Sequence, residues 1–148
     1  MSMNLNDLYG QVIRDHKKFP RNKGLIDGYK TLRFKNPSCG DDITVQALLE
    51  EGKIKDIRHE GSGCAICCSS ASVMSEVLKN KSKEEANLVI EDFYRLIKGE
   101  DVLDEEALDE AIVYSGVAKF PARVKCATLA WKAVGAVIVG DQGEQIDE

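Results

Sequence analysis

The sequence has no long apolar run and no excess of positive charge, and each absence excludes a class of protein. Its longest weakly charged stretch, residues 126–140, is interrupted by Lys132 and is shorter than the roughly 20 apolar residues of a membrane-spanning helix. Its 20 Lys and Arg residues stand against 25 Asp and Glu residues, and the net charge is −5. We therefore expect no membrane insertion and no nucleic-acid partner, which would need a basic surface.

The sequence also lacks an export signal and an even number of cysteines. Residues 1–7 are polar and have neither the basic nor the apolar region of a secretory leader. An odd count of five cysteines argues against a fully paired disulfide framework. We therefore expect a cytoplasmic protein, because grouped cysteines in that reducing compartment usually serve metal or sulfur chemistry.

What is present matches one ordinary globular domain. A chain of 148 residues is long enough to bury a core. Its composition, 43% apolar and 30% charged, is too apolar for intrinsic disorder. Neither a linker nor an internal repeat divides the sequence. We predict a single domain over residues 1–148.

The hydrophobic pattern predicts strands first and helices afterwards. Following a helix over residues 4–18, alternating residues indicate an antiparallel meander with three strands, at 28–35, 42–51 and 53–60. Further helices are predicted at residues 64–79, 82–98, 104–115 and 121–140, before a polar tail at 141–148. This order indicates an α+β fold of two layers, in which helices cover a small three-stranded antiparallel sheet.

Three cysteines occupy positions that can converge in such a fold. Cys39 lies in a turn between the first two strands, Cys64 opens a helix, and Cys126 lies near the start of the last helix. Asp41, two residues after Cys39, offers a carboxylate. Zinc is bound by four such ligands, so these residues predict one metal site, with Arg123 and Lys125 as cations that offset its negative charge. Each cysteine taken alone is more typical of a small apolar core position than of a metal ligand.

The other two cysteines leave alternatives open. Cys64 and Cys67 form a CxxC motif, which is typical of zinc knuckles and of thioredoxin-like redox pairs. The second pair of a zinc knuckle is missing, and a meander precedes the helix where a redox motif would have a βαβ unit. We interpret Cys67 and Cys68 as small helix residues, with Cys67 as a reserve ligand one turn from Cys64.

Several separated motifs together resemble a known family. Residues 36–41 (NPSCGD), a Gly63-Cys64 pair that opens a Ser/Ala-rich helix, and residues 120–131 (FPARVKCATLAW) follow one another in the order found in the IscU/NifU-N superfamily of iron–sulfur cluster assembly proteins. Asp15-His16 and residues 20–24 (PRNKG) resemble its N-terminal signature. Lys125, where IscU scaffolds carry His, and a longer insert within residues 88–116 resemble the SufU branch. The resemblance implies an IscU-like fold.

The resemblance also implies an activity. It implies a zinc-dependent sulfurtransferase that accepts persulfide sulfur from a SufS-type cysteine desulfurase and has contacts with other Suf assembly proteins. Zn²⁺ would be held by Cys39, Asp41, Cys64 and Cys126. A desulfurase His would take over one zinc position and release Cys39 as the sulfur acceptor, and we assign Cys39 and Arg123 the catalytic roles.

Two alternatives stay open at this point. The first is a scaffold on which a [2Fe–2S] cluster is assembled by the same residues, because thiolates hold iron clusters equally well. The second is a zinc-stabilised adaptor that binds assembly proteins through its basic segment, residues 17–23, and through the acidic part of the insert. That part, residues 100–110, holds seven carboxylates and no Lys or Arg.

Overall fold

Helices and strands follow one another along the chain nearly as the sequence predicts. The computed structural model describes residues 5–37, 40–140 and 143–146. In this part of the chain the elements are α1 (Leu5–Lys18), β1 (Lys30–Asn36), β2 (Asp41–Glu50), β3 (Lys53–Ser62), α2 (Ala65–Leu78), α3 (Lys83–Ile97), α4 (Glu105–Leu108), a 3-10 helix (Asp109–Lys119), α5 (Pro121–Ile138) and β4 (Gly143–Ile146). Helices pack on the sheet, which confirms the predicted two-layer α+β fold.

The sheet differs from the prediction in one strand. Among the described residues it has four strands in the order β3-β2-β1-β4, so the prediction of three strands was wrong. The first three are antiparallel, as predicted, whereas β4 runs parallel to β1 from within the expected polar tail. Glu144 of β4 pairs with Lys35 of β1 at 2.7 Å. This strand is four residues long and joins a partner far away in sequence, so no local alternation marks it.

The predicted acidic helix is shorter and less regular than expected. α4 covers only four residues, and its first turn is capped by the side chain of Asp104, which accepts a bond from the Ala107 amide at 3.2 Å. Asp109 then adopts a positive φ of 48°, which an α-helix interior does not tolerate, and the chain continues as the 3-10 helix. The insert therefore ends in tight, irregular turns just before α5.

The buried serines of α2 join it to the elements around it. Ser70 donates to the Ala127 carbonyl of α5 at 2.7 Å and accepts from the Trp131 indole at 3.0 Å. Ser69 accepts from the Tyr114 hydroxyl of the 3-10 helix at 2.7 Å. Because buried hydrogen bonds are directional and costly to break, they fix the position of α2 more sharply than apolar packing alone.

Aromatic packing completes the core beside α2. The ring of Phe93 stacks on that of Trp131 at a centroid distance of 4.0 Å, and Tyr114 meets Phe93 edge-on at 6.1 Å. α5 also packs on β1 and β2, and α2 packs on β3, so both helices belong to the layer that covers the sheet. Within the described residues, none of the helices is both long and apolar enough to cross a bilayer.

Candidate metal centre

Three of the predicted ligands meet at one point. Asp41 begins β2, Cys64 is the N-cap residue of α2, and Cys126 lies in the second turn of α5. The carboxylate oxygen and the two sulfur atoms all lie within 4.8 Å of one another. The fold thus brings together a strand start and two helix starts that are far apart in sequence.

The backbone around Cys64 orients two of these side chains. The buried carboxylate of Asp41 accepts a hydrogen bond from the Cys64 amide at 3.0 Å. The sulfur of Cys64 in turn accepts from the Cys67 amide at 3.5 Å. Gly63 leaves room for the Asp41 side chain, because a Cβ at this position would overlap Oδ1 of Asp41. Both donors are amides at the start of α2, where the first backbone N–H groups have no acceptor within the helix.

This donor set fits zinc. A tetrahedral zinc ion bound to sulfur at about 2.3 Å and to oxygen at about 2.0 Å holds its ligand atoms roughly 3.5–4 Å apart. The cluster needs only a small contraction to reach that spacing. Cys39, the predicted fourth ligand, lies outside the described residues, so its place in the site stays a prediction.

Cys67 and Cys68 lie beside the cluster without belonging to it. Cys67 is fully buried, and burial raises the pKa of its thiol, with the negative charge of Asp41 acting in the same direction. Burial also raises the pKa of the half-buried Cys68, although Lys17 and Lys23 oppose that shift. Both shifts favour the protonated thiol near neutral pH, and neither sulfur belongs to the cluster of Asp41, Cys64 and Cys126.

The two histidines of the chain are engaged elsewhere. His16 is fully buried and bridges the Ser72 hydroxyl at 2.7 Å and the Glu110 carboxylate at 3.1 Å. His59 donates from Nε2 to the Arg21 carbonyl at 2.7 Å, and burial lowers the pKa of its ring. Neither histidine belongs to the ligand cluster found among the described residues. Sulfur and carboxylate are therefore the donors that this chain offers there.

Sequence reasoning missed the structural role of His16. The signal was its helical spacing, since Tyr9, Val12, Ile13 and His16 lie on one face of α1. A histidine on an apolar helix face is expected in the core, with a polar partner for each ring nitrogen. Here those partners join α1 to α2 and to the 3-10 helix.

The basic segment is held by polar contacts to its backbone. The Arg21 amide donates to the Ser72 hydroxyl at 2.8 Å, and the Arg58 guanidinium donates to the carbonyls of Lys23 and Gly24 at 2.7 and 2.9 Å. Lys17 and Lys23 act to lower the pKa of the Cys68 thiol, so the positive charge of this segment acts on the first turn of α2.

Arg123 lies in the first turn of α5 and is exposed. It lines a cleft of about 420 Å³ together with Ile66 of α2, and residues of α1 and of the 3-10 helix form the other walls. Arg123 thus lies at the starts of both helices that carry ligands. Its assigned catalytic role stays a prediction.

The chain is similar to proteins of iron–sulfur cluster assembly. Residues 8–127 match the family model described as the NifU-like N terminal domain. The chain is 42% identical to the iron–sulfur cluster assembly scaffold protein IscU of Streptococcus pyogenes serotype M1, over 90% of this chain and 84% of that protein. It is 40% identical to the zinc-dependent sulfurtransferase SufU of Bacillus subtilis strain 168, over 95% of each chain.

A solved structure shows the same fold. The crystal structure of a protein described as an iron–sulfur cluster assembly scaffold for the SUF system, from Fervidobacterium islandicum AW-1, superposes with a TM-score of 0.81 at 35% identity. The match covers 88% of this chain and 96% of that one. The relatives thus include proteins named as scaffolds and a protein named as a sulfurtransferase.

Proposed function

Because the chain belongs to the NifU-like N-terminal domain family, we propose that it is a zinc-dependent sulfurtransferase that accepts persulfide sulfur from a SufS-type cysteine desulfurase. The observation that carries the proposal is the cluster of Asp41, Cys64 and Cys126, whose ligand atoms lie within 4.8 Å of one another. The relative named SufU, which covers 95% of the chain, supports the same assignment. The setting is the cytoplasm, where reducing conditions keep such thiols free.

In the proposed step, Cys39 is the acceptor. Its thiolate attacks the outer sulfur of the desulfurase persulfide, a sulfur–sulfur bond forms at Cys39, and the desulfurase cysteine leaves as a thiolate. One sulfur–sulfur bond forms as another breaks, so the step needs no outside oxidant or reductant. Bound zinc would keep its thiol ligands deprotonated and unreactive until one of them is exchanged.

The other residues of the site have distinct roles in this proposal. Cys64 and Cys126 would hold the metal, and Asp41 would supply an oxygen ligand while its carboxylate accepts a hydrogen bond from the Cys64 amide. Arg123 supplies positive charge beside the two ligand-bearing helix starts. That charge favours the anionic persulfide once it has formed on Cys39.

Desulfurase turnover tests the acceptor. We expect the wild-type protein to stimulate cysteine turnover by a SufS-type desulfurase and to carry a persulfide that mass spectrometry locates on Cys39. The Cys39→Ala variant should do neither, whereas Cys68→Ser, the matched thiol control, should behave as the wild type. Stimulation and sulfur uptake by Cys39→Ala would show that the acceptor is another residue.

The scaffold function is the second candidate, because the relative named IscU is 42% identical to the chain. The presence of Lys125 before Cys126, where scaffolds of the family carry His, favours transfer over assembly. Metal analysis separates the two. A transfer protein purified in air should contain about one zinc ion and show no visible absorption, since zinc has a closed shell. A brown protein with equal amounts of iron and sulfide would instead be a scaffold.

A further inference from the structure

Two neighbouring depressions form one continuous surface beside the metal centre. The first, the basic cleft, is lined by Tyr9, Ile13, Ile66, Val117, Lys119 and Arg123 among other residues. The second, the acidic groove, is lined by Tyr9, Glu100, Asp101, Glu105, Ile112 and Ser115 among other residues. Tyr9 and Ser115 line both depressions, so the two are contiguous.

The basic cleft combines an apolar floor with positive charge. Its volume is about 420 Å³, which accommodates a few side chains. The charged residues that line it are Lys119 and Arg123, and all its lining residues lie in the described part of the chain. Phe120, at the same rim, leaves 63% of its surface exposed, as is typical of an aromatic anchor at an interface.

The acidic groove has the opposite charge. It measures about 640 Å³, and Glu100, Asp101 and Glu105 line it, with Val102 and Ile112 as apolar neighbours. A segment that spans both depressions would meet positive charge near the ligand-bearing helices and negative charge at the insert. The surface therefore carries opposite charges at its two ends, which favours one direction of a bound segment.

The insert that forms the groove is held in place before any partner binds. The buried carboxylate of Asp92 accepts the amides of Leu103 and Asp104, each at 2.9 Å. Glu110, at the other side of the insert, contacts the buried ring of His16 at 3.1 Å. A preformed surface loses little conformational entropy on binding, which favours a specific partner.

We propose that the basic cleft and the acidic groove together bind one amphipathic segment of the cysteine desulfurase, and this inference rests on the proposed function. Its apolar side chains fill the cleft beside Tyr9 and Val117. A carboxylate of the segment lies at Lys119 and Arg123, and a Lys or Arg side chain lies at the acidic groove. The insert thereby selects the partner and sets its direction relative to Cys64.

Charge-reversal variants test the two ends separately. We expect Lys119→Glu and Asp101→Lys each to weaken desulfurase binding about tenfold at low salt, as measured by calorimetry, and less at high salt because the charges are exposed. The matched controls are Glu91→Lys, at an exposed position of α3, and Lys98→Glu, at the exposed residue that caps the end of α3, and they change the charge equally. Binding of both test variants at the wild-type affinity would overturn the inference, as would tighter binding by either one.

Photo-crosslinking tests the direction of the segment. A benzoylphenylalanine at position 120 should crosslink to an acidic part of the desulfurase segment, and one at position 102 should crosslink to a basic part of the same segment. Crosslinks in the reverse order, or crosslinks to a second copy of this chain, would contradict the proposal.

Persulfide transfer separates this inference from the proposed function. With the desulfurase in large excess, Lys119→Glu and Asp101→Lys should still form the persulfide on Cys39. The Michaelis constant for the desulfurase should rise, and the maximal rate should stay at the wild-type value. Absence of persulfide from the wild-type protein would refute the proposed function, whereas the affinities of the charge variants decide the docking surface independently.

Discussion

The backbone amide of Cys64 donates a 3.0 Å hydrogen bond to the carboxylate of Asp41, so one candidate ligand fixes the position of the other. The bond joins the start of β2 to the start of α2. We therefore expect the site to be largely preformed, and changes in its surroundings should alter metal affinity more than folding.

The close approach at Gly63 leads to the first prediction. A Cβ at this position overlaps Oδ1 of Asp41, so Gly63→Ala should push the carboxylate out of the cluster. We expect zinc affinity to fall by at least tenfold while the far-ultraviolet circular dichroism stays unchanged. Gly116→Ala is the control, since a Cβ at Gly116 meets no atom within 4 Å. Equal zinc affinity of the two variants would show that Asp41 does not bind the metal.

Removal of the carboxylate itself gives the second prediction. Asp41→Ala should lower zinc affinity by about 10- to 100-fold, because it removes both an oxygen ligand and the acceptor that orients Cys64. Asp41→Asn keeps an acceptor for the Cys64 amide, so its zinc affinity should fall less than that of Asp41→Ala. A chelator competition assay measures both variants. The neighbouring Asp42→Asn, which loses only a surface contact to Arg33, should match the wild type.

The extra cysteines give the third prediction. Cys67→Ala and Cys68→Ser should each retain zinc within about twofold of the wild type, because neither thiol belongs to the ligand cluster and burial raises the pKa of both. Cys64→Ser should lose most of its zinc. Zinc content after gel filtration, measured by elemental analysis, provides the readout. Loss of zinc from either of the first two variants would identify that residue as a ligand.

The buried Asp92 gives the fourth prediction, on pH. Burial acts to raise the pKa of this carboxyl, but hydrogen bonds from the Leu103 and Asp104 amides, and then from Arg95, hold the pKa below its ordinary value. Its stabilisation is therefore complete above about pH 4 and is lost as the pH falls through the lowered pKa. Asp92→Asn should cost about 2 kcal/mol in the free energy of unfolding at pH 7, where charged hydrogen bonds are lost.

Urea unfolding followed by the fluorescence of the buried Trp131 measures this difference. The gap between wild type and Asp92→Asn should narrow below about pH 4, as the wild-type carboxylate becomes protonated. Glu91→Gln, an exposed neighbour, provides the control and should change the stability little. A gap that stays constant down to pH 2 would mean that the ionised carboxylate is not what holds the insert.

The convergence of three candidate ligands was predictable from the sequence, as was the order of most helices and strands, whereas one strand of the sheet was not. Asp41, Cys64 and Cys126 each lie at a turn or near a helix start, and such positions are visible in the local pattern of residues. Cys39 was assigned on the same grounds and stays a prediction. The fourth strand was not predictable, because β4 is four residues long and is stabilised by the distant Lys35.

The polar contacts inside the helical layer could not be predicted from sequence patterns either. The small residues of α2 indicated close packing, and the structure shows in addition that Ser70 and Ser72 are hydrogen-bonded across element boundaries. The partners of these hydroxyls, such as Trp131 and His16, lie about 56–61 residues away in sequence. Hydrogen bonds between residues so far apart in sequence depend on the completed fold, and a local periodicity of the sequence does not indicate them.

The order of the candidate ligands along the chain determines how early their cluster can form during synthesis. During synthesis, Asp41 of β2 and Cys64 at the start of α2 emerge well before Cys126 of α5. A chain made from its N-terminus can begin to fold before synthesis is complete. The residues of the three antiparallel strands and of α2 therefore leave the ribosome before the third candidate ligand, so the cluster can form only after α5 has been made.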